Sequence, residues 1–234
     1  MEVMIEVTRQ CNQECLHCLR GEAQNKKIKH EYITSLLNQL RELEVGYTVV
    51  FTGGEPTLNL NAIRHYISEC KRLSMRHDSF YIATNGFKLD LEFIGVCLEL
   101  YAMSEEKELC QVHLSNDEQH KFIFDEDKDL IKGLSFFSDK HEESFSYYNR
   151  RPILEGRAKD YFSEGNDNYV YKIKNKEDLN STEVYLNCNG NIINGCDWSY
   201  QSQNKKELIL CKVEDFKRYY ASLPEAEHEL VYNF

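Results

Sequence analysis

Four times before residue 140, a run with strand character leads into a polar or glycine-bearing loop and then a helical pattern, and this alternation constrains the fold most. The strand-like runs are 2–8 (EVMIEVT), 47–52 (YTVVFT), 79–84 (SFYIAT) and 109–115 (LCQVHLS). The helical patterns run from Tyr32 to Leu43, from Asn59 as an N-cap, from Leu89 to Tyr101 and from Lys128 to Phe137. In the first, Ile33, Leu36, Leu37, Leu40 and Leu43 share one stripe; in the second, Ile63, Tyr66, Ile67, Cys70 and Leu73 do. Alternation at this spacing predicts right-handed βαβ crossovers and an α/β fold on a parallel sheet. No proline interrupts these strands, which suits central positions.

The second half is less regular. Residues 138–180 are charged and aromatic without a clean period, and only 152–161 hints at the exit of a further strand. Residues 183–188 and 191–196 flank Asn189-Gly190, a two-residue hairpin signal, and a last amphipathic helix is expected from Val213 to Leu223. The expected division is a core of residues 1–180 with a hairpin and helix, 181–234, packed on it.

The loops at the strand ends carry the chemistry. The first strand runs into Thr8-Arg9-Gln10-Cys11, the second into Gly53-Gly54-Glu55-Pro56, the third into Asn85-Gly86 and the fourth into Ser115-Asn116-Asp117. Parallel strands bring these loops to one rim, where α/β folds build active sites. Three of the nine cysteines fall within eight residues, Cys11, Cys15 and Cys18, in a C-x3-C-x2-C spacing. Clustered thiols in a reducing compartment point to metal or redox chemistry before disulfides. A complete [4Fe–4S] site takes four thiolates, so three leave one iron open to a ligand. A zinc knot is the competing reading, but His17 is awkwardly placed to be its fourth ligand.

The remaining composition bounds the setting. A formal net charge of −11 argues against a broad nucleic-acid surface. No apolar run approaches a membrane span and MEVMIEVTRQC does not read as a signal peptide, so a cytoplasmic location is the default.

Cys11, Cys15 and Cys18 after the first strand, with Gly53-Gly54-Glu55-Pro56 after the second, resemble the radical S-adenosylmethionine (SAM) superfamily. The resemblance spans about residues 1–120, with fainter echoes to 200. It implies a partial (β/α)6 barrel whose three cysteines hold a [4Fe–4S] cluster. The amino and carboxylate groups of SAM then chelate the fourth iron. The reduced cluster of that family cleaves SAM to methionine and a 5′-deoxyadenosyl radical that abstracts a substrate hydrogen. By the same resemblance, Gly53, Gly54, Glu55 and Pro56 would receive the SAM ammonium, with Glu55 contributing beside the exposed backbone. His17 would pack near the adenine; a solvated loop histidine is the plain alternative. Asn85 belongs to the third-strand exit common in the family, or simply to a turn. Ser115 would bond the SAM ribose or carboxylate with Asp117 as its neighbour, although Asp117 suits a helix cap equally. Arg157 would stand on a fifth strand and pair with the SAM carboxylate. His113, two residues before Ser115, would share its strand face as a substrate contact or a core histidine.

The hairpin ending Asn194-Gly195-Cys196-Asp197 is similar to the start of the auxiliary-cluster (SPASM/twitch-like) regions of peptide-modifying members. Here Cys188, Cys196 and Cys211 offer no C-x2-C, so a truncated remnant without a second cluster is expected. It would cover the barrel's open side, with Trp198 and Tyr200 as a lid or docking surface. The resemblance thus implies an enzyme that acts on a peptide or protein, a small molecule being the other substrate class. Its electrons would come from a flavodoxin- or ferredoxin-like donor. A glycyl-radical-enzyme activase is a second possibility. A non-catalytic iron–sulfur binding or sensing protein is the alternative from another class.

Overall fold

The structure is a computed structural model that describes residues 1–115, 125–139, 152–166 and 168–226. Its strands are β1 (Glu2–Thr8), β2 (Thr48–Gly53), β3 (Phe80–Thr84), β4 (Gln111–Leu114), β5 (Phe137–Asp139), β6 (Glu183–Leu186), β7 (Asn191–Asn194) and β8 (Ile209–Lys212). They form one sheet in the order β5-β4-β3-β2-β1-β6-β7-β8. Strands β1 to β6 pair in parallel, and β7 and β8 are added antiparallel. The sheet does not close, since β5 and β8 are its two edges. This is the expected α/β partial barrel with a short hairpin and terminal helix.

Strand periodicity sorts the side chains. Val3, Ile5, Val7, Val49, Phe51, Phe80, Ile82, Val112 and Leu114 are buried in one cluster with the helices α1 (His30–Leu43), α2 (Leu60–Leu73) and α3 (Leu91–Met103). Met4, Glu6, Val50, Thr52, Tyr81, Ala83 and His113 alternate with them and so take the inner face. The helix stripes read from the sequence are the ones buried, including Ile33, Leu36, Leu37 and Leu40 on α1. Asp90 caps α3 by accepting a hydrogen bond from the Phe93 amide at 3.0 Å, worth about 1 kcal/mol.

Several boundaries differ from the sequence reading, each for a local reason. Asn59 precedes α2 but does not cap it: its side chain turns inward and donates to the Val7 carbonyl at 2.7 Å. The fourth long helix, α4, is Asp125–Lys132 and stops before Gly133, a residue suited to ending helices. Phe136 then packs edge-on against Phe80, with ring centroids 5.6 Å apart, as the chain enters β5. The fifth strand is therefore 137–139; residues 152–157 form a loop bridged at Ile153 to Asn166 and followed by the short helix α5 (Ala158–Tyr161). After α6 (Lys176–Asn180) and the hairpin, Val213–Asp215 is a 3-10 turn ahead of α7 (Phe216–Ser222).

A buried polar chain under α2 gives the fold an acid-sensitive point. The Tyr47 and Tyr66 hydroxyls lie 3.0 Å apart, Tyr66 meets His77 Nδ1 at 3.1 Å, and His77 Nε2 meets Ser104 Oγ at 2.9 Å. Burial lowers the His77 pKa to about 4. Between that value and its ordinary one near 6.5, only the unfolded chain binds the proton, so stability rises with pH across this window. Acidification from pH 7 to pH 4 should cost about 3 kcal/mol at this residue. Urea unfolding of the apoprotein across that range should show the slope, and His77→Gln should flatten it; equal slopes would exclude His77 as the source.

Candidate active site

The parallel register sets the C-terminal ends of β1 to β5 along one rim. Beyond β1 the chain leaves and returns as a narrow stem. Arg9 N donates to Lys26 O at 2.8 Å, Gln24 N to Arg9 O at 2.9 Å and Ile28 N to Val7 O at 3.1 Å. The stem carries a loop bearing all three clustered cysteines. Within it Cys18 N bonds Cys15 O at 3.2 Å and Gly21 N bonds Cys18 O at 3.4 Å, a pair of tight turns around His17. Cys11, Cys15, Cys18 and His17 are all half-buried, and none of the cysteines forms a disulfide.

The Gly-Gly-Glu-Pro segment explains how this loop is held. Gly54 N donates to Thr8 O at 2.9 Å and Glu55 N to Gln10 O at 2.8 Å, so β2 continues its pairing into the approach to Cys11. A Cβ on Gly53 would overlap the Thr8 carbonyl and one on Gly54 the Gln10 carbonyl, and Gly53 has φ +136°. Only glycine fits at either position. Both glycines thus lie close against the cysteine loop's own backbone.

The Glu55 side chain is tied into the chain itself. Its carboxylate is buried and accepts four hydrogen bonds from within the chain: Thr57 N at 3.1 Å, Thr57 Oγ1 at 2.7 Å, Thr84 Oγ1 at 2.7 Å and Asn85 N at 2.8 Å. Burial raises its pKa despite these donors. The side chain braces the β2 exit to the β3 exit, and Pro56 starts the 3-10 turn Pro56–Asn59 that it caps.

Asn85 carries the brace on to the cysteines. Its Nδ2 donates to Asn12 Oδ1 at 3.0 Å and lies 3.8 Å from Cys11 Sγ. The Gln13 amide approaches the same sulfur at 3.4 Å. Burial raises the Cys11 thiol pKa, and the Gln13 contact opposes that rise. Ser115 follows β4 with its amide on Thr84 O at 2.8 Å. His113 is buried on the inner face, its ring stacked with Tyr81 at 6.1 Å. Asn116 and Asp117 lie outside the described residues.

Arg157 stands at the start of α5, not on a strand. Its amide donates to Cys18 O at 2.9 Å, and its guanidinium forks onto Glu22 at 2.7 and 3.0 Å and reaches Cys15 O at 3.5 Å. It therefore clamps the outside of the cysteine loop.

The C-terminal strands supply a second clamp. The hairpin does not cross the barrel's open side: β6 pairs with the free edge of β1 and prolongs the sheet. The segment after it turns over the strand ends, where Tyr200 N donates to Arg20 O at 3.0 Å and Arg20 donates to the Trp198 carbonyl at 2.8 Å. Ser199 N and Ser202 Oγ donate to Glu155. Trp198 and Tyr200 are buried in this contact and present no exposed lid.

Beneath it lies a polar cluster that the sequence reading passed over. Glu6 accepts from Arg9 Nε at 2.7 Å, Cys188 N at 2.9 Å, Tyr185 OH at 2.9 Å and Gln203 Nε2 at 2.9 Å. Arg9 also donates to Gln203 Oε1 at 2.6 Å and Gln24 Oε1 at 3.1 Å, and its guanidinium lies over the Tyr200 ring at 4.7 Å. The available signal was Glu6, a charge on the inward register within the otherwise apolar run of residues 3–7.

Cys188, Cys196 and Cys211 are not gathered. Cys188 sits at the turn, its thiol donating to Glu6 O at 3.1 Å, Cys196 follows the far end of β7, and Cys211 pairs with Ile192 on β8. Burial pushes the Cys211 thiol up to about 12 and raises the other two. Among the described residues, no three His, Cys, Asp or Glu side chains converge on a single-ion site. Three thiolates each bound to a different iron need no such convergence, so the half-buried, disulfide-free set of Cys11, Cys15 and Cys18 fits an iron–sulfur cluster. A separate polar recess of about 460 Å³, lined by Glu2, Thr48, Tyr81, Tyr171 and Glu183 among others, opens at the opposite ends of the strands.

Residues 5–114 match the family model of the Radical SAM superfamily. An uncharacterised protein of Methanocaldococcus jannaschii is 31% identical over 68 residues, which are 29% of this chain and 24% of that protein. The matched part is thus about a quarter of that relative's length. Among solved structures, a histidine-tagged form of anSMEcpe with bound AdoMet superposes with a TM-score of 0.63 at 15% identity, covering 95% of this chain and 80% of that one. BtrN in complex with AdoMet and 2-DOIA gives 0.56 at 16% identity, covering 94% and 84%. At these identities the likeness is one of fold.

Proposed function

We propose that this chain, whose residues 5–114 match the Radical SAM superfamily model, is a radical SAM enzyme that binds SAM at its strand-end rim and modifies a peptide or protein. The observation that carries this reading is the set of three thiols outside any disulfide, Cys11, Cys15 and Cys18, on one loop that the Gly53–Pro56 backbone pins to the rim. Cys11, Cys15 and Cys18 would hold a [4Fe–4S] cluster. When bound, that cluster supplies the electron that splits SAM into methionine and a hydrogen-abstracting 5′-deoxyadenosyl radical.

The chain's own part is to bind and orient. The backbone of residues 53–56, with Glu55 beside it, would receive the SAM ammonium. His17, Asn85, Ser115 and Asp117 would line the rest of the cofactor, and Arg157 would act from behind the cysteine loop. Asn85 and the Gln13 amide direct N–H groups at Cys11 Sγ and favour its thiolate. His113, on the inner face, would meet substrate. The preference for a peptide is supported by the likeness to anSMEcpe, which has also been solved with AdoMet and the Cp18Cys peptide (TM-score 0.60, 13% identity). A flavodoxin- or ferredoxin-like reductant in the cytoplasm completes the proposal; among the described residues, no helix is long and apolar enough to cross a membrane.

Anaerobic reconstitution should yield about four irons per chain, and dithionite should then drive 5′-deoxyadenosine formation from SAM. Bound zinc would overturn the proposal. A stable cluster that never cleaves SAM would leave an iron–sulfur binding protein instead.

A further inference from the structure

The polar recess of about 460 Å³ at the N-terminal ends of the strands holds two neighbouring carboxylates. Glu2 on β1 and Glu183 on β6 are register partners in parallel strands, and both line the recess. Adjacent strands stand about 4.8 Å apart, and like charges side by side at that spacing repel. Among the described residues, no lysine or arginine lies within salt-bridge distance of either carboxylate. The Met1 ammonium offsets part of the repulsion at Glu2 while donating to Gly46 O at 3.4 Å.

The rest of the lining also asks for a donor. Asn180 lines the recess, and its side-chain oxygen is buried without a hydrogen-bond partner. Its nitrogen is engaged, donating to Tyr220 OH at 3.1 Å. An amide oxygen and two carboxylates offer acceptors alone. Tyr81 and Tyr171 add aromatic rings to the wall, and such rings attract a cation to their faces. Tyr171 is fixed in place: its amide donates to Asn194 Oδ1 at 2.9 Å and its carbonyl accepts from Asn194 Nδ2 at 2.8 Å. Among the described residues no three metal-ligating side chains converge, so the cation that suits this lining is organic.

We propose that the recess binds the ammonium or guanidinium group of a lysine or arginine in the substrate peptide. The inference rests on the peptide-modifying radical SAM reading above and adds a charge requirement to that substrate. Recess and rim lie on one face of the sheet. Glu2, Thr48, Tyr81 and Glu183 share the inner register with Glu6 and Thr52 nearer the rim. The Tyr81 ring also stacks with His113. Thr8 lies six positions after Glu2 on β1, which places the two ends about 20 Å apart. An extended peptide covers at most about 3.6 Å per residue, so at least about six residues separate the basic anchor from the reacting residue.

Isothermal titration of the apoprotein tests this with an end-capped Gly-Ser octapeptide carrying one central lysine. It should bind saturably, and the same peptide with an acetylated lysine should not. The double variant Glu2→Gln with Glu183→Gln should weaken binding of the lysine peptide about tenfold. Glu2→Gln alone should raise the apoprotein melting midpoint by about 1–3 °C, because a like-charge repulsion has been relieved. Equal binding of the acetylated peptide, or wild-type affinity in the double variant, would overturn the proposal. So would a lower midpoint for Glu2→Gln, since its carboxylate would then already be paired. If the double variant fails to fold, the acetyl-lysine comparison on the wild-type chain decides. Tighter binding of cadaverine than of the lysine peptide would assign the recess to a free amine and overturn the peptide assignment. None of these titrations needs iron or SAM. If they succeed and the chain takes up no iron, it is the functional reading that fails.

Discussion

Cys15→Ala is expected to leave the protein folded but unable to retain iron, with 5′-deoxyadenosine formation at background. Cys11→Ala and Cys18→Ala should behave alike. The thiols stand half-buried on one loop between tight turns, so each supplies a ligand that the others cannot replace. Cys97, buried in α3, and Cys188, held on the Glu6 carbonyl, are not free to move in. The loss should exceed the roughly 10–100-fold seen on removal of an outer-shell partner. Cys97→Ala is the control that should keep wild-type iron. Iron content and deoxyadenosine yield after anaerobic reconstitution check this, and full retention in any one of the three loop variants would remove that cysteine from the ligand set.

The second large effect is on stability. Arg9→Ala strands the Glu6 carboxylate, fully buried beneath the cysteine loop, with only neutral donors. Breaking a buried ion pair from one side costs about 3–5 kcal/mol, a large part of the stability of a typical domain. Loss of the guanidinium over Tyr200 adds to it. The double variant Glu6→Gln with Arg9→Met should recover part of the loss, because no charge is then left without its partner. Urea unfolding of the three apoproteins gives the comparison. A loss below about 1 kcal/mol for Arg9→Ala would place this pair with ordinary surface salt bridges.

Much of the site was legible because it is local. Cys11, Cys15 and Cys18 lie within one loop, and the Gly53–Pro56 turn directly ends a strand whose pattern is unambiguous. The Asn189-Gly190 turn marked its hairpin for the same reason. Other assignments went astray where a side chain had two possible partners. Asn59 looked like a cap, but the Val7 carbonyl, distant in sequence, takes its amide. Arg157 followed a weak strand pattern, and β5 instead forms at 137–139.

The sequence by itself determined the α/β alternation, the helix stripes that are buried, and which loops meet at the rim. Periodicity and parallel pairing are enough for that, since both arise from chain geometry over a few residues. Only the tertiary structure decided that β6 docks on the free edge of β1 and that residues 196–204 fold over the cysteine loop. It also decided that Glu6, Arg9, Tyr200 and Gln203 meet under that loop. Glu6 and Tyr185 are 179 residues apart along the chain, and Arg9 and Gln203 are 194 apart. No local pattern encodes such a meeting, because what selects it is the need to neutralise a charge that burial has taken from water.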